Sequence, residues 1–248
     1  MRRVKLLIEY VGSDYVGWQS QENGKSIQEQ IELALFQIYK KKIRLFVSGR
    51  TDAGVHALGQ VAHFDLDDDR LEEKKICYAI NYFLKKNNDT IVIIDSEFVE
   101  TTFHARFSVK KKIYLYKIFN RKIPSFFLED RAWFIPVNLN LKKISKAAKY
   151  LIGKHDFNSF RSSDCQAKSS VRTIENISIS KFENVIKIRV FGKSFMHNQV
   201  RIIVGTLVNV GKGVFDVEII PDIIKQKDRK KAGPTAPPSG LYLEKIEY

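Results

Sequence analysis

The apolar pattern of residues 3–99 switches between period two and period 3.6 in a set order, and that order limits the folds open to the chain. Residues 3–10 read as a strand. A loop follows, "GSDYVGWQSQENGK", and Ser26 with Glu29 makes a capping-box pair. Ile27, Ile31, Ala34, Leu35 and Ile38 recur at helical spacing, which predicts an amphipathic helix over 27–41. "IRLFV" (43–47) predicts a strand, a Gly-bracketed bend follows, and "QVAHFDL" (60–66) predicts another strand. A helix is expected over 71–85 and a strand at "TIVIIDSEFV", 90–99. The order β-α-β-β-α-β is that of a split βαβ, or ferredoxin-like, lobe.

"TTFHARFSVKKK" reads as a polar, basic connector, after which the inventory loosely repeats. "IYLYKIF" (113–119) predicts a strand. Leu141, Ile144, Ala147, Ala148 and Leu151 share one face of a helix over 141–152. "VRTIENISIS" and "NVIKIRVFG" predict an antiparallel pair, and "SFMHNQVRIIVGTLVNVG" (194–211) a long apolar helix. "VEIIPDIIKQKD" reads as a short helix interrupted by Pro221, "PTAPPSG" as a rigid loop, and "LYLEKIEY" as a closing strand. No solenoid period and no Gly/Ser-rich linker is present. The expected fold is α+β: two ferredoxin-like lobes, 1–105 and 106–248, sharing a mostly antiparallel central sheet flanked by helices, with the active-site cleft between them.

Charge narrows the partner. Lys and Arg number 42 against 28 acids, a formal +14, which either points to a polyanion such as nucleic acid or an anionic membrane surface, or marks a Lys-rich surface that serves solubility. The membrane reading ranks last, because no apolar run approaches ~20 residues and no basic amphipathic segment or lipidation signal is present. "MRRVKLLIEYVG" lacks the apolar core and cleavage site of a signal peptide and reads as a first strand. Cys77 and Cys165 lie far apart, which is no disulfide framework and fits a reducing cytoplasm. With 44% apolar residues, the 248-residue chain can bury a proper core.

Few groups can carry chemistry. His56, His63, His104, His155 and His197 make no i, i+4 pair with one another or with a Cys, so a zinc site is not expected. "GTLVNVGKG" (205–213) fails as a phosphate loop: Thr206 and Gly213 stand at the wrong positions, and the segment ends a helix rather than opening one. No nucleophile elbow is present, and neither Cys has an activating neighbour pattern.

That leaves Asp52, the single carboxylate between Ser48 and Gln60. One reading is an Asx turn before Gly54. The other starts from Arg50, two residues away, and from Arg201, set in an apolar helix. Arg201 either reaches solvent along the helix rim or requires a carboxylate. If that carboxylate is Asp52, it stays ionised in a sheltered place and is a nucleophile or base in waiting. Tyr114 and Tyr116 follow Lys110–Lys112 and either stack on a splayed base or fill the core, at least one doing the latter. Trp18-Gln19 either contacts RNA or anchors its loop.

Together these residues resemble the tRNA pseudouridine synthase A (TruA) family along nearly the whole chain. The resemblance rests on "EYVGSDYVGWQSQ", "SIQEQIE", "SGRTDAGVHALGQVAHF", "FHARFSVKKKIYLYKI", "GKHDFNSFRSS", "SFMHNQVRIIVGTL" and "AGPTAPPSGLYL". By motif it implies that Asp52 is the catalytic aspartate, that Arg50 lies by the active site and engages RNA, that Tyr114 packs on the target base, and that Arg201 is the salt-bridge partner of Asp52. Ile113 stands where some relatives carry a basic residue, and Gln199 where Met is frequent. The resemblance further implies isomerisation of uridine to pseudouridine at positions 38, 39 and 40 of the tRNA anticodon arm, by a homodimer, with no cofactor or metal.

The chemistry fits. Remaking a C1′–N1 bond as C1′–C5 needs no redox step, only a carboxylate, a sheltered pocket and a base taken out of its stack. Glycoside hydrolysis uses two carboxylates; the motif supplies one, as suits an isomerase that adds no water. Asp52 would attack C1′, attack uracil C6, or take a ribose proton, three options the residues leave open. Tyr114 would hold the detached uracil while it turns, with a share in removing the C5 proton as a further option. Two other readings stand beside this one: a synthase of the same family with a different RNA uridine as target, and a non-catalytic RNA-binding protein on the same scaffold.

Overall fold

Strand β1 (Arg2–Tyr10) buries Val4, Leu6, Ile8 and Tyr10, one face of a two-residue repeat. The computed structural model describes residues 1–22 and 24–248; Asn23, within the expected loop after β1, lies outside them. Ser26 caps α1 (Ile27–Tyr39), its hydroxyl accepting from the Glu29 amide at 3.3 Å. The predicted helix ends earlier than residue 41, because Lys40 takes a left-handed conformation at φ 55°. Next come β2 (Phe46–Val47), β3 (His56–Leu66), α2 (Glu73–Lys86) and β4 (Ile91–Val99). The β-α-β-β-α-β order is present, with β2 reduced to two residues.

Beyond these lie β5 (Lys111–Asn120), β6 (Trp133–Ile135), α3 (Leu141–Lys149), β7 (Gly153–Asp156) and β8 (Val171–Ile174). The chain finishes with β9 (Asn176–Phe182), β10 (Val185–Gly192), α4 (Gln199–Gly211), α5 (Ile219–Gln226) and β11 (Leu241–Glu247). It is a mixed α/β protein whose strand pairings are mostly antiparallel. Two units divide it: Met1–Lys110 with Tyr242–Tyr248, and Lys111–Leu241. Set beside the lobes expected over 1–105 and 106–248, the first unit runs on to Lys110 and takes in the closing strand.

In the first unit β1 lies between β4 and β3, antiparallel to both; β2 adds antiparallel to β3, and β11 meets the start of β3 in parallel. α1 and α2 pack together, with α2 also on β4. β3 begins at His56 rather than Gln60, inside the Gly-bracketed bend. The early start follows from its neighbours: Ala57 faces Tyr10, and His56 and Ala57 face Tyr242 and Leu243.

In the second unit β10 pairs antiparallel with β5 and β9, while β6 runs parallel to β5. "VRTIENISIS" is not one strand. Its first four residues form β8 and pair with β7, and only β9 pairs with β10. The helix expected over 194–211 starts at Gln199, since Asn198 is left-handed at φ 60° and the Gln199 side chain accepts from the Met196 amide at 2.9 Å. α3 ends at Lys149, before residue 152. Pro221 falls in the first turn of α5, where its missing N–H has no helical partner to lose. Among the described residues no helix is long and apolar enough to cross a membrane.

Candidate active site

The Asp52 loop is built by backbone geometry. The Val55 amide donates to the Asp52 carbonyl at 3.2 Å, and Gly54 sits at φ +76°. That is a tight turn with a positive φ at its third residue, which glycine alone adopts freely. The bond closing it comes from the main chain at position 52.

The flanks of this turn are clamped. The Trp18 amide donates to the Thr51 carbonyl at 3.1 Å, and the Tyr10 hydroxyl meets Thr51 Oγ1 at 2.8 Å. Ser48 Oγ donates to Gln60 Oε1 at 2.8 Å, while Gln60 Nε2 donates to the Gly49 carbonyl at 2.8 Å. On the far side the Gly12 amide donates to His56 Nδ1 at 3.1 Å, and the His56 ring stacks on Tyr242 with centroids 4.7 Å apart. Burial pushes the Tyr10 phenol up to about 12, its bonds to Thr51 and Gln60 opposing, so it stays a neutral hydroxyl. Ser48, Thr51, His56 and Gln60 are buried; Arg50 is exposed and Asp52 partly so. The frame is held from below while positions 50 and 52 remain accessible.

In the second unit Tyr114 lies on β5 with 9% of its surface exposed, its ring edge-on to Phe195 at 5.1 Å. Tyr116 is fully buried and takes the core-filling role. Its hydroxyl donates to the Pro237 carbonyl at 2.7 Å. Arg201, the lone charge of α4, donates from Nε to the Ala236 carbonyl at 2.7 Å and from Nη1 to Asn198 Oδ1 at 2.7 Å. Tyr116 and Arg201 thus hold successive carbonyls of the "PTAPPSG" loop. Burial raises the Tyr116 phenol above its ordinary value, and the Arg201 charge opposes the rise.

The same loop lies hard against α4. A Cβ on Gly205 would stand 1.8 Å from the Pro234 carbonyl oxygen, and the Ala236 amide donates to the Arg201 carbonyl at 3.1 Å. Arg201 is half-buried and bonded, not a rim side chain reaching freely into solvent.

The first unit therefore carries Arg50 and Asp52, and the second Tyr114 and Arg201, both beside the segment from Phe195 to Arg201. Trp18 is 1% exposed and anchors its loop. Tyr116, Ser48, His56 and Gln60 escaped the sequence reading as supports of the site. Gln60 stood on an expected strand, where a polar side chain at a core-facing position is a signal, whereas Ser48 and His56 fell in the bend, which carries none. Among the described residues no group of three or more His, Cys, Asp or Glu could hold a metal ion.

Comparison with known proteins adds the family. A model described as tRNA pseudouridine synthase matches residues 6–108 and 147–248. These spans include Arg50, Asp52 and Arg201, while Tyr114 falls between them. A protein of Neorickettsia sennetsu named tRNA pseudouridine synthase A is 47% identical over 246 residues, 99% of this chain and 100% of its own. Proteins of the same name from Wolbachia pipientis wMel and Ehrlichia ruminantium are 49% and 48% identical, over 99% of this chain and 100% and 99% of theirs. The chain belongs to the tRNA pseudouridine synthase family.

Proposed function

We propose that this protein is a cytoplasmic, homodimeric isomerase that converts uridine to pseudouridine at positions 38, 39 and 40 of the tRNA anticodon arm, without cofactor or metal. The full-length relatives named tRNA pseudouridine synthase A support the substrate class. The observation that carries the reading at atomic level is the Asp52 turn. A main-chain-closed turn, clamped on both flanks, leaves one carboxylate accessible beside an exposed arginine.

The fold read here is a pair of ferredoxin-like lobes with the catalytic cleft between them. Support comes from the first unit, where α1 and α2 accompany strands in the order β4-β1-β3-β2. In this reading Arg201 is the salt-bridge partner of Asp52. The hydrogen bonds from Arg201 to Ala236 and Asn198 hold that guanidinium in place.

The reaction balances within the substrate. The C1′–N1 bond breaks, the uracil turns, the C1′–C5 bond forms, the C5 proton leaves and N1 gains a proton. Asp52 starts the cleavage, by one of the three routes named above. Tyr114 holds the freed base, with its ring already fixed by Phe195. Arg50 and the basic surface engage the RNA backbone, which positions the substrate without reading its sequence.

Pseudouridine mapping of tRNA from cells with and without this gene tests the target. Loss at positions 38–40 is the expected result. Loss at another RNA uridine, with those three intact, would assign the protein a different target within the family.

A further inference from the structure

A polar hollow of about 320 Å³ opens in the second unit, lined by Asn158, Arg161, Ser162, Ser163, Arg229 and Thr235. Two guanidiniums share it, and no carboxylate is among the lining residues. Arg229 gives one Nη to the Gly233 carbonyl at 2.9 Å and the other to Thr235 Oγ1 at 3.1 Å, both neutral acceptors. Burial pulls its guanidinium below the usual value, with no acid offsetting the shift. Among the described residues, neither Arg161 nor Arg229 makes an ion pair with an acid. The nearest acid in sequence to Arg161, Asp164, accepts from the Ser163 hydroxyl at 2.6 Å in the open. Two half-buried cations without a counter-charge, ringed by hydroxyls and an amide, suit an anion supplied from outside.

The hollow is tied to the candidate catalytic arginine at two points. Thr235 on its wall precedes Ala236, the acceptor of Arg201 Nε. Ser162, also on its wall, bonds through its amide to the His197 carbonyl at 3.3 Å, next to Asn198, which accepts from Arg201 Nη1. The wall of the hollow is thus continuous in the chain or by hydrogen bond with both Arg201 tethers.

Resting on the tRNA reading above, we infer that this hollow binds one phosphodiester of the substrate RNA close to the target uridine, with Arg161 and Arg229 as its cationic walls. Arg161 is the sharper probe, because Arg229 also braces its own loop. The phosphate would register the strand against Arg201, a specific contact beyond the general attraction of a basic surface.

The test uses tRNA assembled by ligation, with single phosphodiesters flanking the target uridine replaced one at a time by neutral methylphosphonate. Dissociation constants are measured for the wild type and for Arg161→Gln, with melting temperatures to establish that the variant folds as the wild type does. Arg161→Gln is expected to weaken binding of unmodified tRNA about tenfold. One methylphosphonate should weaken wild-type binding by a similar factor, and at that linkage alone the variant should lose nothing more. Losses that add in full at every linkage, or no loss in Arg161→Gln, overturn the inference. Tritium release from unmodified C5-labelled tRNA by the wild type separates the two claims: with release, only the phosphate site falls; without it, the functional reading falls too.

Discussion

At the scale of single residues, the two arginines of the proposed chemistry differ in kind. Arg50 is exposed, whereas Arg201 is half-buried and bonded to Ala236 and Asn198. Arg201→Leu should therefore cost both turnover and fold stability. Losing charged hydrogen bonds of this type costs about 1.5–3 kcal/mol each, which a urea melt would detect. Arg50→Leu should reduce tRNA affinity with the melt unchanged. His63 offers a prediction of another sort. It is 1% exposed, its Nδ1 accepts from the Ala105 amide at 3.1 Å, and burial, with the nearby His104 and Arg3 charges, lowers its pKa from 6.5 to about 4. The unfolded chain takes up this proton near 6.5 and the folded chain only near 4. Its neutral ring thus contributes stability in full above pH 6.5, and that contribution is lost as pH falls toward 4. His63→Asn should flatten the fall in urea midpoint between pH 7 and pH 5; an unchanged slope would return the effect to other groups. Asp52 could be singled out from sequence because it is an isolated acid in a basic bend. Tyr116 could not be assigned its support role, since its hydroxyl acts on a loop more than a hundred positions away.

Among the elements, α4 and the loop after α5 make one working part. The loop meets the helix at Gly205, and Arg201 and Tyr116 hold its next carbonyls. Gly205→Ala places a methyl where the Pro234 carbonyl now lies and forces the loop outward. Overpacking of this sort costs about 1–3 kcal/mol. The melting temperature should fall, and turnover should fall with it because the Arg201 tether is displaced. Unchanged turnover would show that the loop does not position Arg201. The strand and helix order of residues 1–100 was legible because the buried faces of β1, α1 and α2 repeat at strand or helix spacing. The edges were not. β3 starts four positions early because β1 and β11 pair with its first residues, which no local pattern encodes. "VRTI" has strand composition, and its partner β7 is the short polar stretch "GKHD", which carries no strand signal of its own. The break before α4 needed a left-handed Asn198, a conformation that sequence allows without announcing.

For the whole molecule, the formal charge of +14 and the family assignment point to the same substrate. Binding to tRNA should weaken steeply with salt, with a log–log slope of about −4 or steeper if on the order of six phosphates are contacted. A shallow slope would mean that the basic surface serves solubility instead. In the proposed reaction a single carboxylate, carried on a turn closed by its own main chain, starts the isomerisation. Release of tritium from C5-labelled uridine in tRNA, measured for the wild type beside Asp52→Ala, tests it most directly. The wild type should release tritium, and a variant that still folds and still binds tRNA should release none. Near-normal release by Asp52→Ala would contradict it.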